Sequence, residues 1–300
     1  MKILISISKS KPGAFEKMAT LQAYFNSLGI EHNSIDVDQM IWSDPASTNA
    51  VPQCVRDGQV DLVVTLGGDG TILRTARLVQ GTEIPILGIN LGTLGFLAND
   101  VEDDMLEVVS SALAGELIVE KRSNLLCDIV CAGEDDWVEG EGQQMRTPLF
   151  ALNDVAVTRG DTGVTLDMYL DISNGRIGRF RGDGMIIASA TGSTAYSLAA
   201  GGPIVAPSFH GLIVQPLASH TISARTVLTN ENDVVRLSFS HAEGDSVDRR
   251  ATVYIDGMKA HVPTKPATIY VRRGPIPTTL LYRQANTTLS KATETFFKGL

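Results

Sequence analysis

Two short stretches of the chain combine residue types whose spacing suits them to chemistry. The first is Asp61-Leu-Val-Val-Thr-Leu-Gly-Gly-Asp-Gly-Thr-Ile-Leu73, an apolar run that breaks into Gly67-Gly68-Asp69-Gly70-Thr71. Adjacent glycines let a backbone turn tightly and bring its amides close to an anion with no Cβ in the way. A helix starting there adds its unpaired amides and the positive end of its dipole. The loop is not a Walker A motif, which needs Lys and then Ser or Thr after its last glycine. Nor is it a Gly-x-Gly-x-x-Gly dinucleotide fingerprint. Asp69 sets it apart, a carboxylate within a loop suited to phosphate. Such a group serves as a general base toward a hydroxyl, as a magnesium ligand, or as both. Residue types alone leave it equally open that Asp69 caps the next helix.

The second stretch is Arg181-Gly-Asp-Gly-Met-Ile-Ile-Ala-Ser-Ala-Thr-Gly-Ser-Thr-Ala-Tyr-Ser-Leu-Ala-Ala-Gly-Gly-Pro203. It reads as an Asp-Gly turn, a strand over 185–190, a Thr-Gly-Ser-Thr turn and a small-residue helix halted by Gly201-Gly202-Pro203. Ser193 or Thr194 can cap that helix, leaving amides for a ligand. Ala195, Ala199 and Ala200 let another backbone or a flat ring approach, and Tyr196 offers stacking and a hydroxyl. Ser193 lacks the Gly-x-Ser-x-Gly surroundings and the nearby histidine of a serine nucleophile. The five histidines show no metal-ligand spacing. Taken singly, Asn153-Asp154 is a turn or strand end, Arg181 with Asp183 a surface ion pair, and Phe96 a core residue.

The elements that must position these residues change character along the chain. A strand over 2–8, a helix over 14–28, a strand over 61–66, a helix over 71–79 and a third apolar run over 84–89 alternate as in crossover units of an open parallel sheet. After a helix around 103–114, β-branched runs recur at 123–131, 149–159, 165–173, 185–190, 234–240, 251–255 and 268–272. That pattern is one of hairpins and sandwiched sheets. The expected organisation is an α/β domain over 1–100 and a β-rich, sandwich-like domain over 101–275. A terminal segment over 276–300 comes last, its tail (287–300) a helix packing back on the first domain.

Composition narrows the partners. The 300 residues are 43% hydrophobic and 20% charged, enough for a buried core. Asp plus Glu number 34 against 25 Lys plus Arg, a net charge of −9. That balance argues against binding a nucleic-acid backbone but leaves room for one small anion. No apolar run approaches the ~18–20 residues of a membrane span. Cys54, Cys127 and Cys131 form neither a zinc cluster nor a disulfide framework, and the two in the 123–131 run read as buried thiols. A cytoplasmic protein is expected, with no membrane partner. Glu134, Asp135, Asp136, Glu139 and Glu141, set among glycines, read as an acidic hairpin loop in solvent rather than a metal site.

Together the two motifs closely resemble those of the bacterial NAD kinase family. The first alone is shared with 6-phosphofructokinases and with diacylglycerol- or sphingosine-type lipid kinases; the second is far more specific. Gly88-Ile-Asn-Leu-Gly-Thr-Leu-Gly-Phe-Leu97, Ala151-Leu-Asn-Asp-Val155 and His220-Thr-Ile-Ser-Ala-Arg225 match in the same order, so the likeness spans roughly 60–260. It implies transfer of the γ-phosphoryl of ATP, or of polyphosphate in some members, to the adenosine ribose 2′-hydroxyl of NAD, with Mg²⁺ carried mainly by the donor phosphates. Asp69 matches the family's proton acceptor, and Gly67, Gly68, Gly70 and Thr71 the donor-phosphate loop. Asn153 and Asp154 match a dinucleotide-binding pair. Asp69, Gly70, Arg74, Arg181, Asp183, Thr194, Ala195, Tyr196, Ser197, Leu198 and Ala199 also fall on dinucleotide-contact positions, and Phe96 matches an aromatic near the adenine. Self-association as a homotetramer or homodimer is implied too.

Three positions depart from the family pattern. Ser189-Ala190 stands where Thr-Pro is common, Ala199 where Ser is common, and Met258 where many members carry Gln. Each removes a polar contact, and a neutral hydrogen bond contributes about 0.5–1.5 kcal/mol. The competing readings are a lipid or sugar-phosphate kinase sharing the glycine loop, and a non-catalytic NAD(P)-sensing module.

Overall fold

The structure, a computed structural model, describes residues 1–39, 52–92, 95–99, 104–134, 148–173, 175–220, 223–239, 251–262 and 264–284. The described residues divide into two units. One holds those up to Arg122 together with those from Pro275 onward; the other lies within Ser123–Gly274.

In the first unit, the short apolar runs become the middle of a six-stranded sheet. Its order is β2 (Glu31–Asp36), β1 (Lys2–Ile7), β3 (Leu62–Gly67), β4 (Ile86–Asn90), β18 (Thr278–Tyr282) and β5 (Ile118–Arg122). All neighbours are parallel except β5, which runs antiparallel to β18. β3 and β4 are buried along their whole length, as expected when helices cover both faces. Leu21 and Phe25 of α1 (Ala14–Ser27) and Met105, Val108 and Val109 of α4 (Met105–Ala114) pack on Ile3, Ile5, Val64, Leu66, Leu87 and Ile89. Ser6, alternating with Ile5 and Ile7, points to the opposite face. There its hydroxyl meets that of Thr75 in α3 (Asp69–Leu78) at 2.7 Å. A single turn, α2 (Gln53–Arg56), precedes β3. Because β2 lies on one side of β1 and β3 on the other, the winding reverses between β1 and β3. Open α/β sheets form their ligand crevice outside the carboxyl ends of the strands at such a point.

The boundary expected near residue 100 lies instead at Arg122/Ser123. Helix α4 buries its apolar stripe on the parallel sheet, and β5 pairs with β18, so both belong to the first unit. Residues 278–282 form a central strand of that sheet; the helix expected over 287–300 lies outside the described residues.

The second unit is a sandwich of two antiparallel six-stranded sheets. One has the order β10 (Gly175–Gly182), β9 (Leu166–Ile172), β14 (Val235–Phe239), β17 (Pro266–Arg273), β6 (Leu125–Cys131) and β7 (Leu149–Ala151). The other runs β13 (Val227–Leu228), β12 (Ile213–Leu217), β11 (Gly184–Ala188), β8 (Asp154–Thr158), β15 (Thr252–Ile255) and β16 (Met258–Lys259). Alternate residues of both sheets meet in one core: Cys127, Met168, Leu170 and Ile269 from the first, Val155, Val157, Met185 and Ile187 from the second. Ala156, Ile186 and Ala188 face the other way, against Ala200, Val205 and Phe209. The run expected as one strand over 149–159 is two, β7 and β8, in different sheets, parted at Leu152-Asn153.

Cys127 and Cys131 are free and buried, as their apolar setting suggests, and burial pushes the Cys127 thiol well above its ordinary range. Of the acidic stretch, Glu134 accepts the Cys131 amide at 2.7 Å; Asp135, Asp136, Glu139 and Glu141 lie outside the described residues. Among the described residues no helix is long and apolar enough to cross a membrane.

Candidate active site

In the first unit, a cavity of about 430 Å³ opens at the winding reversal. Its walls come from residues at or just past the carboxyl ends of four parallel strands: Ser8, Ser10 and Lys11 after β1, Asp38 after β2, Gly68–Thr71 and Arg74 after β3, and Asn90–Gly92 with Gly95 at and after β4. Gly67 is buried at the end of β3, Gly68 and Asp69 are half-buried, and Gly70 is exposed. The hydroxyl of Thr71 lies against the Gly67 Cα. Asp69 is the first residue of α3 but does not cap that helix with its side chain. Its carboxylate instead accepts the amides of Phe96 (2.8 Å) and Leu97 (3.0 Å). A Cβ on Gly95 would run into that carboxylate, so any larger residue there would displace the Asp69 side chain. Phe96 is therefore tied through its backbone to Asp69, with its ring half-buried.

Arg74 Nη1 pairs with Asp38 Oδ1 at 2.9 Å in the same cavity wall. Burial works against the charged form of Asp38. Hydrogen bonds from the Ser8 hydroxyl (2.7 Å) and from Ser10, with the Arg74 charge, outweigh it and hold the carboxyl below its ordinary range. The cavity is thus lined by Lys11, by the Arg74–Asp38 ion pair and by the amino end of a ten-residue helix, with Asp69 as its second carboxylate. Ser8, Ser10, Lys11 and Asp38 were missed from sequence. No local motif marks them, and only the sheet topology brings the ends of β1 and β2 beside the glycine loop.

In the second unit, Asn153 and Asp154 sit where the chain crosses from β7 to β8. Asp154 is 4% exposed, and burial first, then the charge of Asp256, pushes its carboxyl up to about 7. The Asn153 side chain is half-buried. The segment expected as one small-residue helix is a 3₁₀ turn, Thr191–Thr194, followed by the single turn α5 (Tyr196–Ala199). Neither Ser193 nor Thr194 caps it. Ser193 is fully buried and accepts the Val205 amide (3.3 Å), while the Thr194 hydroxyl donates to the Thr191 carbonyl (3.3 Å). Along 194–199, Tyr196 and Ala199 are exposed; Thr194, Ala195 and Leu198 are half-buried; and Ser197 is buried against Gly202. Arg181 and Asp183 do not pair with each other. Arg181 Nε donates to Thr165 Oγ1 (3.1 Å), and Asp183 meets Arg159 Nε (3.2 Å).

The chain matches both halves of a known two-part architecture, in order. The ATP-NAD kinase N-terminal domain matches residues 15–117, and the ATP-NAD kinase C-terminal domain matches residues 152–282. The NAD kinase of Gemmatimonas aurantiaca is 33% identical over 259 residues, 86% of this chain and 84% of its own length. That of Heliobacterium modesticaldum is 34% identical over 223 residues, 74% of each. Among solved structures, yeast NADH kinase complexed with NADH is similar with a TM-score of 0.82, at 22% identity, over 100% of this chain and 88% of that one. An NAD kinase from Archaeoglobus fulgidus in complex with ATP gives 0.69, at 21% identity, over 95% of each. With both domains matched in order and relatives aligned over most of their length, the chain belongs to the ATP-NAD kinase family.

Proposed function

We propose that this chain phosphorylates NAD to NADP, with ATP as donor, by direct transfer of the γ-phosphoryl to the adenosine ribose 2′-hydroxyl. It is then an enzyme of the transferase class. The observation that carries this reading is Asp69, a carboxylate fixed by two amides inside a cavity at the strand ends lined by Lys11 and the Arg74–Asp38 pair. Phosphoryl transfer asks little covalent chemistry of a protein and much positioning and charge neutralisation. Gly68, Gly70 and Thr71, with the amides that open α3, hold the donor phosphates, assisted by Lys11 and by Arg74, which the family resemblance gives to the dinucleotide and which lines the same cavity as the glycine loop. Asp69 takes the proton from the attacking hydroxyl. Asn153, Asp154, Arg181, Asp183 and the exposed side of 194–199 bind the dinucleotide, and Phe96 lies near the adenine.

The residues fit a divalent ion in one manner. Among the described residues no group of three or more His, Cys, Asp or Glu could hold a metal ion. Asn90 Oδ1, in a residue lining the cavity, is buried without a hydrogen-bond partner among them. Mg²⁺ typically keeps several waters and binds through substrate phosphates and one or two protein oxygens, which Asn90 and Asp69 can supply. Bound there it would neutralise charge on the donor oxygens.

Purified protein should form NADP from NAD and ATP, and diacylglycerol or fructose 6-phosphate offered in parallel should stay unphosphorylated. That result separates this reading from a lipid or sugar-phosphate kinase and from a non-catalytic sensor. Polyphosphate in place of ATP tests the donor range. Free thiols at Cys54, Cys127 and Cys131 support a reducing, cytoplasmic setting. The edge position of β10, with Ile177 exposed, supports self-association as a homotetramer or homodimer, which light scattering on the eluting protein measures.

A further inference from the structure

The turn that carries Asn153 and Asp154 has no backbone freedom left. The amides of Leu152, Asn153 and Asp154 all donate to the carboxylate of Asp256, at 2.8, 2.7 and 3.1 Å. The Asp256 amide donates back to the Asp154 carbonyl at 2.9 Å. The two remaining carbonyls go to Ser189: its hydroxyl donates to Leu152 O at 2.5 Å and its amide to Asn153 O at 2.9 Å. Six backbone groups of three residues are thus met by two side-chain-bearing positions far away in sequence. The Ser189 hydroxyl is fully buried and also accepts the Gly192 amide at 3.2 Å. Gly192 lies so close to the Asn153 carbonyl that no Cβ fits.

We propose that Asp256 and Ser189 are positioning residues that lock the Leu152–Asp154 turn, so that the Asn153 and Asp154 side chains meet the dinucleotide in one geometry. The proposal rests on the reading of Asn153 and Asp154 as dinucleotide contacts. Three amides on one carboxylate are charge-assisted bonds, stronger and more directional than neutral ones. The Asn153 side chain has no hydrogen-bond partner of its own among the described residues, which leaves it available to a ligand. Ser189 has a particular standing in this chain. The change from Thr-Pro to Ser189-Ala190, expected to remove a polar contact, keeps the hydroxyl, which bonds Leu152 O and the Gly192 amide.

A simpler account must be separated from this one. Asp256 and Gly257 both have positive φ, 47° and 77°, in the β15–β16 hairpin. Asp-Gly is a favoured pair for such a turn, so Asp256 could serve the hairpin alone. Asn-Gly serves that turn equally well. Asp256→Asn therefore keeps the hairpin and replaces one of the two accepting oxygens with a donor facing a donor.

The experiment compares wild type, Asp256→Asn, Ser189→Ala, Ser189→Thr, Asn153→Ala and the double variant Asp256→Asn/Asn153→Ala. NAD binding is measured by calorimetry without ATP, alongside kcat, both KM values and the melting temperature. Loss of charge-assisted bonds should weaken NAD binding about tenfold in Asp256→Asn and several-fold in Ser189→Ala. The KM for ATP should stay within about twofold, and Ser189→Thr should regain most of the loss. Once Asn153 is truncated, Asp256→Asn should add less than about twofold, the coupling expected of residues acting through one another. Full multiplication of the two effects would overturn the proposal. So would a lowered melting temperature with NAD binding unchanged. Should Asp256→Asn not fold, the Ser189 pair decides by the same readouts. If Asn153→Ala itself binds NAD normally, the dinucleotide reading falls and this proposal with it. If Asn153→Ala weakens binding while Asp256→Asn and Ser189→Ala do not, only the positioning proposal falls.

Discussion

The α/β cavity and the Leu152–Asp154 turn both set a carboxylate against backbone amides, yet they are built in opposite ways. At the cavity the amides of Phe96 and Leu97 reach Asp69 because β3 and β4 are adjacent parallel strands whose ends emerge side by side. Nothing beyond the topology is needed to bring the pieces together. At the turn, β7 and β8 belong to different sheets, and the partners that hold it, Ser189 and Asp256, are about forty and a hundred residues away. A parallel sheet yields a crevice as a by-product of its winding; a sandwich has to assemble one from dedicated hydrogen bonds. The first kind of site should tolerate backbone-neutral changes and be sensitive to the reacting group. The second should be sensitive to its supports.

The largest expected effect tests the cavity. Asp69→Asn should lower kcat by about 10²–10⁴, the range for a lost general base, with NAD affinity kept within a few-fold. Normal turnover in steady-state assays would remove Asp69 from the proposed role.

Next comes a pair of glycine substitutions that sets the two constructions directly against each other. Gly192→Ala forces a methyl group into the Asn153 carbonyl, so it should cost about 1–3 kcal/mol of stability as well as NAD affinity. Around Gly70, by contrast, a Cβ meets nothing within 4 Å. Gly70→Ala should leave the melting temperature equal or slightly raised, since Ala is better in a helix by about 1 kcal/mol. It should nonetheless raise the KM for ATP. An unchanged KM for ATP would mean that phosphates do not approach this loop.

A smaller effect concerns proton binding at the turn. The folded Asp154 carboxyl titrates near 7, above the ordinary 3.8 of the unfolded chain. Between those values the folded state binds more protons, so this group's contribution to stability is full below pH 4, declines as pH rises toward 7, and is flat above. Asp154→Asn should flatten that slope in melting temperatures taken from pH 4 to 8. It should also remove an inflection near 7 in NAD affinity. Smallest of all, Arg74→Ala should change stability by under about 1 kcal/mol, because the Arg74–Asp38 pair is partly exposed. Its consequence should appear in the KM for ATP; if that is unchanged, Arg74 is not part of the donor site.

How far the sequence could be read obeys the same division. The strand–glycine–helix unit of β3 and α3 is contiguous, and both its elements and its chemistry were visible in one string of residues. The sandwich itself was legible from recurring β-branched runs, as at β9 and β14. Several strands carry no such run: β2 is the polar Glu31-His-Asn-Ser-Ile-Asp36, and β10 is Gly175-Arg-Ile-Gly-Arg-Phe-Arg-Gly182. Two of the three arginines of β10, Arg176 and Arg179, are held by Asp171 and Asp167 of β9 at 2.6–2.7 Å, cross-strand partners that no local pattern reveals. β12 contains Pro216, which argues against a strand by rule. It is tolerated because β13 pairs only with Ile213 and Val214, leaving the rest of β12 as an edge. No local motif marks Asp256, two residues before Met258; its three amide partners depend on tertiary folding.

One strand has a consequence for how the protein is made. β18 is inserted between β4 and β5, bonded to both, and pinned by Asn99, whose side chain donates to Leu281 O (2.8 Å) and accepts the Arg283 amide (3.0 Å). On a ribosome, β5 emerges about 160 residues, and β4 about 190, before the strand that joins them. Until then each presents an unpaired edge, and the α/β half waits unfinished while the whole sandwich is synthesised. The sandwich, continuous within Ser123–Gly274, is free to close first. The order of completion is therefore inverted relative to the order of translation, and the half that holds Asp69 is the last to be sealed.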